Sequence, residues 1–218
     1  MRACDFWWQV EEVGPNSLAI VSLICFMVGL IVAFVGSIQL KLFGAEIFVA
    51  SLVGIAITRI MGAIMAGRTG ASFAATIGTM QVNEEVDALK TMGISPFEFL
   101  IAPRVLALSV VMPLLTLYAD IMGMLGGAFV GVFLLNISPA EYLTATIKAL
   151  KANQVLIGVL HGTVYGYIIA ICGCYQGFHC ARNAAAVGHS TTSAVVNSIV
   201  WMTIATSIMT IIFSIIGV

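Results

Sequence analysis

Long apolar segments alternate with short polar stretches along this chain, and this alternation predicts its fold class. A helix needs about 20 apolar residues to cross the hydrocarbon core of a bilayer. Five segments meet this requirement, at residues 18–38, 46–67, 105–135, 155–178 and 194–218. The first and the last contain no charged residue. The pattern therefore predicts an all-α membrane protein with about five transmembrane helices.

The chain begins with an amphipathic pattern. Phe6, Val10 and Val13 fall at helical spacing, with two glutamates on the opposite face. Two tryptophans, which collect at membrane–water boundaries, lie in the same stretch. We predict that residues 1–17 form an interfacial segment with a short helix at 5–13, and a disordered tail is the alternative.

The clearest polar stretch between spans covers residues 81–95. Val82, Val86 and Leu89 fall on one helical face. Acidic residues come early and Lys90 comes late, which suits the helix dipole, and a glycine and a proline then supply stop signals. The stretch is too short to cross a membrane, so we predict an amphipathic helix outside the hydrocarbon.

Two other polar stretches separate the later spans. In residues 136–153 we predict a helix after Ser138 and Pro139, and residues 176–193 are rich in Ala, Ser and Thr.

Basic residues set the orientation of such a chain in the membrane. With a cytoplasmic amino end, the inner side holds Arg2, Arg68, Lys90, Arg104 and Arg182, and the outer side holds Lys41, Lys148 and Lys151. This weak bias places the polar helix in the cytoplasm.

Composition agrees with a membrane location. Hydrophobic residues make up 61% of the chain and charged residues 9%, against about 25% charged residues in a typical soluble domain. The length fits a single transmembrane domain over residues 1–218. The net charge of −1 predicts no nucleic-acid partner. Cys172, Cys174 and Cys180 match no common zinc spacing, so we predict no metal site and no cofactor.

Two spans carry glycines at every fourth position. The third span has Gly123, Gly127 and Gly131, and the fourth has Gly158, Gly162 and Gly166. Small residues at this spacing allow helix backbones to approach closely in lipid. We interpret both rows as helix-packing positions, at which spans three and four pack together or two copies of the chain meet.

A few ionisable residues lie within or near the predicted spans, where an unpaired charge is expensive. They are Arg59, Arg104, Asp120 and His161. Arg104 lies near a span end and can extend its charge towards water, whereas Arg59 lies deep and is the better functional candidate. Asp120 is a candidate partner for Arg59 or His161 across the bundle.

The sequence offers no catalytic residues for ATP hydrolysis. A phosphate-binding loop reads G-x-x-x-x-G-K-[ST], and the glycine-containing stretch at 67–72, GRTGAS, lacks the lysine. Work against a gradient would therefore draw its energy from a partner. The polar helix at 81–95 is the natural docking point for that partner.

Residues 65–96, MAGRTGASFAATIGTMQVNEEVDALKTMGISP, resemble the signature region of the MlaE (YrbE-type) permeases. The family pattern is A-G-R-x-G-[AS], then G-T-M-x-V-x-E-[EQ]-[IV]-D-A-L-x-[TS]-M-G. Further matches follow in the expected order at Phe43–Glu46, Pro103–Ala107, Pro113–Thr116, Gly126–Gly127 and Ser190–Val196. The resemblance covers nearly the whole chain.

The resemblance implies a five-span permease subunit of an ABC transporter in the bacterial inner membrane. In that family the permease forms a homodimer, two cytoplasmic ATPase subunits dock beneath it, and an MCE-domain protein lies on the periplasmic side. A STAS-domain protein is a further partner. The substrate is phospholipid, moved between the inner and outer membranes in support of outer-membrane lipid asymmetry.

The resemblance also implies site residues. The family's coupling helix, which contacts the ATPase, matches residues 81–95, with Glu84, Glu85, Asp87 and Lys90 as the contact residues. Its central lipid pocket implies a cavity at the dimer axis between spans one, two and five. We expect Phe34 and Leu42 to line this cavity and Arg59 to bind the lipid phosphate.

One departure from the family pattern leaves an alternative open. Relatives usually carry Arg-Glu-x-Gly-Pro before the A-G-R motif, whereas this chain has Arg59-Ile60-Met61-Gly62-Ala63 and a shorter gap to Arg68. No role of that glutamate transfers to this chain. The alternative is a non-transporting scaffold that anchors the ATPase or MCE partner. An intramembrane enzyme is a third hypothesis, which would need His, Asp or Ser side chains clustered at one depth.

Overall fold

A computed structural model describes residues 3–41, 49–134, 138–149 and 152–216, and all regular structure in these ranges is helical. The helices are α1 (Ala3–Val13), α2 (Pro15–Lys41), α3 (Val49–Met65), α4 (Ala71–Val82), α5 (Glu85–Thr91), α6 (Ala102–Phe133), α7 (Pro139–Ala149), α8 (Ala152–Phe178) and α9 (Ala184–Ile216). Two π-helical turns, Ala66–Gly70 and Phe97–Ile101, lead into α4 and α6. The predicted all-α class is confirmed, as is the helix after Ser138 and Pro139.

Within the described ranges, five helical segments are long and apolar enough to cross a membrane, which confirms the predicted number. They are Phe6–Leu40, Leu52–Val82, Phe97–Phe133, Gln154–Phe178 and Ala184–Ile215. The second segment runs without a break through α3, the π-turn and α4, so the shorter gap before Arg68 does not leave this span too short.

The last helix begins at Ala184, earlier than the predicted span at 194. Residues 184–193 lack long apolar side chains, so hydropathy alone does not mark them as helical. Alanine is nevertheless the strongest helix former, and the side-chain oxygen of Asn183 accepts a hydrogen bond of 2.7 Å from the Ala186 N–H. This cap starts the helix before its apolar part.

The amino-terminal amphipathic pattern forms α1, as predicted, rather than a disordered tail. Gln9 and Val13 are buried, and α1 packs on α6 and α2. Trp7 and Trp8 are exposed. The chain turns at Gly14 and continues directly into α2.

The predicted single helix over 81–95 is instead two helices with a tight turn between them. The second span continues to Val82, Asn83 ends it, and Glu84 adopts a left-handed conformation with φ 61°. That conformation costs a non-glycine residue roughly 1–2 kcal/mol. The short helix α5 then begins, and Val86 anchors it because its side chain is completely buried.

Helix α6 forms the centre of the bundle and packs on α2, α3, α8 and α1. In an apolar stretch of 18 residues, half of the α6 segment is buried within the chain, against 11% in the corresponding stretch of α9. The apolar surface of α9 therefore faces outward, towards lipid or another chain. Helix α5 and the α8–α9 connection lie at one end of the bundle, which we call the α5 end, and α7 lies at the other.

Candidate functional site

Charged side chains at the α5 end form a connected group, which we call the Asp87 cluster and which comprises Glu84, Asp87, Lys90 and Arg182. Asp87 accepts hydrogen bonds from Lys90 at 3.0 Å and from Arg182 at 2.5 Å. Arg182 also lies 3.7 Å from a carboxylate oxygen of Glu84. The hydrogen bond from Lys90, together with the positive charges of Lys90 and Arg182, lowers the pKa of Asp87 below its usual range.

The cluster joins two parts of the chain that are distant in sequence. Arg182 lies in the α8–α9 connection, so its contacts hold this connection against α5. Exposed ion pairs contribute little to stability because water screens them, and the cluster therefore orients α5 more than it stabilises the fold. Sequence reasoning missed Arg182 as a partner of Asp87 because no sequence pattern links the two positions. The available signal was that Arg182 lies in a polar stretch predicted on the same side of the membrane as residues 81–95.

Glu85 stands apart from the Asp87 cluster. It is exposed and accepts one hydrogen bond, of 3.2 Å, from the Asn83 side-chain amide. Of the four residues predicted to contact the ATPase, Glu85 is thus the one whose charge makes no ion pair within the part of the chain that the structure describes.

Helix α5 also contacts the end of the fourth span. The Lys90 ammonium lies 5.7 Å from the centre of the Phe178 ring. Nearby, a Cβ placed on Gly78 in α4 would lie 3.5 Å from the Cys180 sulfur. Helix α5 therefore contacts the ends of the second and fourth spans and, through Arg182, the segment that leads into the fifth.

Deep in the bundle, Asp120 is hydrogen-bonded rather than ion-paired among the described residues. The Thr58 hydroxyl donates to Asp120 at 2.9 Å. His161 does not reach Asp120; its Nδ1 lies 2.8 Å from the Ile157 carbonyl oxygen. The side chain of Arg59 lies outside the described residues.

The residues predicted to bind lipid are only partly described. Phe34 lies on α2 with 43% of its surface exposed, and Leu42, like the Arg59 side chain, is outside the described residues. Arg104 differs from expectation, because it is 6% exposed and does not extend to water. It donates a 2.8 Å hydrogen bond to the Leu100 carbonyl and lies 5.8 Å from the Phe73 ring centre.

A groove of about 480 Å³ lies between α3, α8 and α9. Its walls include Ala63, Tyr165 and Met202, and α9 contributes a row of hydroxyl-bearing residues. These residues are Thr203, Thr206, Ser207 and Thr210. Phe34 does not line this groove. An apolar cleft with a few hydroxyl groups is the usual composition of a small-molecule site.

A second groove, of about 720 Å³, lies near the α5 end between the start of α6 and the end of α8. Its lining is almost entirely apolar and includes Phe97, Ile101, Tyr167, Ile171 and Phe178. Phe97, Tyr167 and Ile171 are exposed, so this groove opens on the outer surface of the bundle.

The glycine row of the fourth span faces α6. A Cβ on Gly162 would lie 2.7 Å from the Thr116 hydroxyl oxygen, and one on Gly166 would lie 2.8 Å from the Leu108 carbonyl oxygen. Gly158 has more room, with its nearest contact at 3.7 Å from Asp120.

The glycine row of the third span faces other neighbours. Gly123 meets the backbone of α2 at Gly29 and the side chain of Ile57 in α3, while Gly127 and Gly131 lie against Tyr142 in α7. We expected spans three and four, or two copies of the chain, to meet at this row. Glycines at every fourth position indicate a helix face on which another element can pack closely, but they do not identify that element.

Arg68, the arginine of the A-G-R motif, links the second span to the start of the first. It lies in the π-turn and donates hydrogen bonds to the Ser17 hydroxyl and, at 3.0 Å, to the Asn16 carbonyl oxygen. Local π-helical turns are common at functional positions. Sequence reasoning used Arg68 only in the orientation count and as part of the family motif.

Comparison with known proteins identifies related chains. The family model for Permease MlaE matches residues 6–212. A probable ABC transporter permease protein of Rickettsia typhi is 40% identical over 207 residues, which cover 93% of this chain and 80% of that protein. One from Synechocystis is 34% identical over 196 residues, covering 88% and 74%. The Arabidopsis thaliana protein TRIGALACTOSYLDIACYLGLYCEROL 1, chloroplastic, is 32% identical over 210 residues, covering 94% and 60%.

Structure and comparison agree on the type of protein. The five apolar helices make a multi-pass membrane protein, and the relatives are named as permeases of ABC transporters. In this class a permease subunit is generally non-catalytic and works with an ATPase partner. The chain belongs to the MlaE permease family and is the permease subunit of an ABC transporter.

Proposed function

We propose that this chain moves phospholipid between the inner and outer membranes of a bacterial envelope, together with an ATPase and an MCE-domain protein. The observation that carries the proposal is the groove between α3, α8 and α9, which combines apolar walls with hydroxyl groups. A phospholipid needs both, because its tails are apolar and its phosphate is charged. The Arabidopsis relative is named after a lipid, trigalactosyldiacylglycerol, which supports a glycerolipid substrate.

We propose a homodimer in which α9 and the groove beside it face the dimer axis. Only 11% of an apolar 18-residue stretch of α9 is buried within one chain, so a second copy would cover a large apolar surface. One groove of about 480 Å³ has the size of a drug-sized ligand pocket, roughly 300–1,000 Å³. Two such grooves facing each other would give a cavity better suited to a lipid with two acyl chains.

The Asp87 cluster and Glu85 are the proposed contact for the ATPase. Charges at an interface mainly steer and orient docking. Because α5 touches the ends of the second and fourth spans, movement of a docked ATPase would act on two walls of the groove.

Arg59 is the proposed cation for the lipid phosphate, and its substitution is the first test of the lipid path. Arg59→Ala should abolish lipid transfer yet leave the dimer and ATPase binding in place. Arg59→Lys should restore part of the activity, because lysine keeps the charge and loses the two-pronged guanidinium geometry. Transfer of a fluorescent phospholipid between vesicles measures the effect, with light scattering of the purified complex as the control for assembly.

Two outcomes would contradict this role for Arg59. Loss of the folded dimer in Arg59→Ala would favour a structural ion pair within the bundle. Full transport activity in that variant would exclude both roles.

The scaffold alternative rests on the missing Glu-x-Gly-Pro segment after Arg59. The unbroken helix over Leu52–Val82 weakens it, since the span is long enough to cross the membrane. Affinity purification in mild detergent tests the assembly directly. We expect an ATPase and an MCE-domain protein to co-purify and ATP hydrolysis to come with them; a chain that purifies without an ATPase would contradict the proposal.

A further inference from the structure

The break between α4 and α5 depends on an unusual backbone conformation at Glu84. Asn83 caps α4 with an ordinary φ of −81°, and Glu84 then adopts φ 61° and ψ 13°. Among the residues that the structure describes, Glu84 is the one non-glycine residue with a positive φ. The left-handed region disfavours such a residue by a factor of roughly 5–30, so the surrounding structure must hold Glu84 in this conformation.

The local sequence does not require this break. Residues 81–91 contain no glycine or proline, and glutamate is a good helix former. Left-handed residues that end helices are usually glycine and sometimes asparagine, yet the neighbouring Asn83 has a negative φ. With Val82, Val86 and Leu89 on one helical face, the sequence also fits a helix that continues from α4 into α5. Both backbone arrangements are therefore compatible with this sequence.

Contacts with the rest of the chain favour the bent arrangement. The Val86 side chain is completely buried, and Arg182 binds Asp87. The Lys90 ammonium lies 5.7 Å from the centre of the Phe178 ring. Water screens the exposed ion pair, so the burial of one apolar side chain is the main stabilisation of the bend. A straight continuation of α4 would carry the end of α5 about 13 Å beyond α4 along its axis, away from these contacts.

The connection from α5 to α6 is long enough for both arrangements. It begins with Met92 and with Gly93, which has φ 73°. Ile94 and Ser95 have no regular secondary structure. The five residues from Met92 to Pro96 can span at most about 17 Å, which is more than the displacement of about 13 Å. Helix α5 can therefore move without unfolding the start of α6.

We propose that residue 84 is a two-state joint between α4 and α5, and this proposal rests on the ATPase contact proposed for α5. In the bent state, left-handed Glu84 holds α5 against Arg182 and the end of the fourth span. In the straight state, residue 84 is helical, α4 and α5 form one helix, and the contact with the fourth span is released. A docked ATPase that binds the two states with different affinity shifts the equilibrium between them. Glu84 is thus a positioning residue, whose backbone conformation determines whether movement of the ATPase reaches the fourth span.

The distance between α4 and α5 tests the joint on the purified permease chain. Spin labels would be attached through Thr76→Cys and Thr91→Cys, because both positions are exposed. Protein without the added cysteines corrects for labelling of native thiols. A continuous helix places the two positions about 22 Å apart, and the bend makes the distance shorter. We expect the shorter distance in the parent and a shift of most of the population to about 22 Å in Glu84→Val, because a β-branched residue strongly disfavours the left-handed conformation.

Neutral substitutions separate the backbone of Glu84 from its charge. Glu84→Gln, Glu84→Asn and Glu84→Val all remove the carboxylate, so the three variants share any loss of docking that is due to charge. Asparagine tolerates the left-handed conformation better than most residues, and valine tolerates it poorly. In the reconstituted complex we expect similar amounts of lipid transferred per ATP in Glu84→Gln and Glu84→Asn. The amount in Glu84→Val should be about tenfold lower, in proportion to the lost bent population.

The proposal would be overturned if Glu84→Val kept the short distance, or if it transferred as much lipid per ATP as Glu84→Gln. A broad spread of distances in Glu84→Val would also overturn it, because α5 would then detach rather than straighten. Failure of the proposed function has a different signature. A parent complex that moves no lipid would contradict the proposed function, whereas the shift to about 22 Å in the isolated permease would still support the joint.

Discussion

Reversing the charges of Glu84 and Asp87 together should uncouple ATP hydrolysis from lipid transfer while the chain still folds and inserts. Both side chains are polar surface groups at the α5 end, and both contact Arg182. Their reversal repels Arg182 and removes the acidic charge that would orient the ATPase. We expect lipid transfer to fall to background in the Glu84→Lys, Asp87→Lys double variant. ATP hydrolysis by the complex should continue, and both rates are measured on the same vesicles.

Three controls assign the cause of that loss. Arg182→Ala breaks the contact between Arg182 and the two acids but keeps both acids. If this variant still transfers lipid, the loss in the double variant comes from a weakened contact with the ATPase rather than from the lost contact with Arg182. Glu85→Lys alters an acid that has no ion pair in the described chain and should weaken docking alone. Glu141→Lys changes an exposed acid on α7, at the other end of the bundle, and should have no effect. Intact complex and intact transport in the double variant would show that α5 is only a solvated surface helix.

Gly126→Ala should strongly destabilise the protein. Its added Cβ would overlap the Phe26 carbonyl oxygen and lie 3.1 Å from the Leu30 amide nitrogen. Both contacts are backbone atoms of α2, so no side chain can move aside and the two helices must separate. Overpacking of this kind costs about 1–3 kcal/mol. We expect a lower unfolding temperature in detergent and a reduced yield of monodisperse protein on size-exclusion chromatography.

Gly54→Ala is the matched control, because no atom lies within 4 Å of the Cβ that it would add on α3. Alanine is a better helix former than glycine by about 1 kcal/mol, so this variant should be as stable as the parent or more so. The same glycine-to-alanine substitution is thus expected to lower the stability at position 126 and to maintain or raise it at position 54. Equal stability of the two variants would refute the close α2–α6 contact.

Apolar length alone predicts the five spans, because the membrane requires every span to satisfy its backbone within a helix. The exact points at which a helix is interrupted or begins are harder to predict from the sequence. The left-handed Glu84 divides the predicted 81–95 helix, although a sequence pattern with Val82, Val86 and Leu89 on one face favours continuity. The cap at Asn183 starts α9 within a stretch whose small side chains carry no apolar signal.

Contacts between distant segments could not be predicted in the same way. Depth along the spans suggested Arg59 or His161 as partners of Asp120. The Thr58 hydroxyl donates to Asp120 and His161 lies against the Ile157 carbonyl oxygen instead, while the Arg59 side chain is outside the described residues, so that pairing stays a prediction. The links from Arg68 to Ser17 and from Arg182 to Asp87 each join segments that only the packed bundle brings together. Candidate residues are thus found from polarity and family motif, whereas their partners follow from three-dimensional packing.

The most direct test of the proposed function is lipid transfer by the reconstituted complex. The chain would be purified with its ATPase and MCE-domain partners, placed in donor vesicles containing a fluorescent phospholipid, and mixed with acceptor vesicles. We predict transfer that requires ATP hydrolysis and stops with a non-hydrolysable ATP analogue, and no ATP hydrolysis by the permease chain alone. A complex that hydrolyses ATP and yet moves no lipid in either direction would contradict the account and support a scaffold.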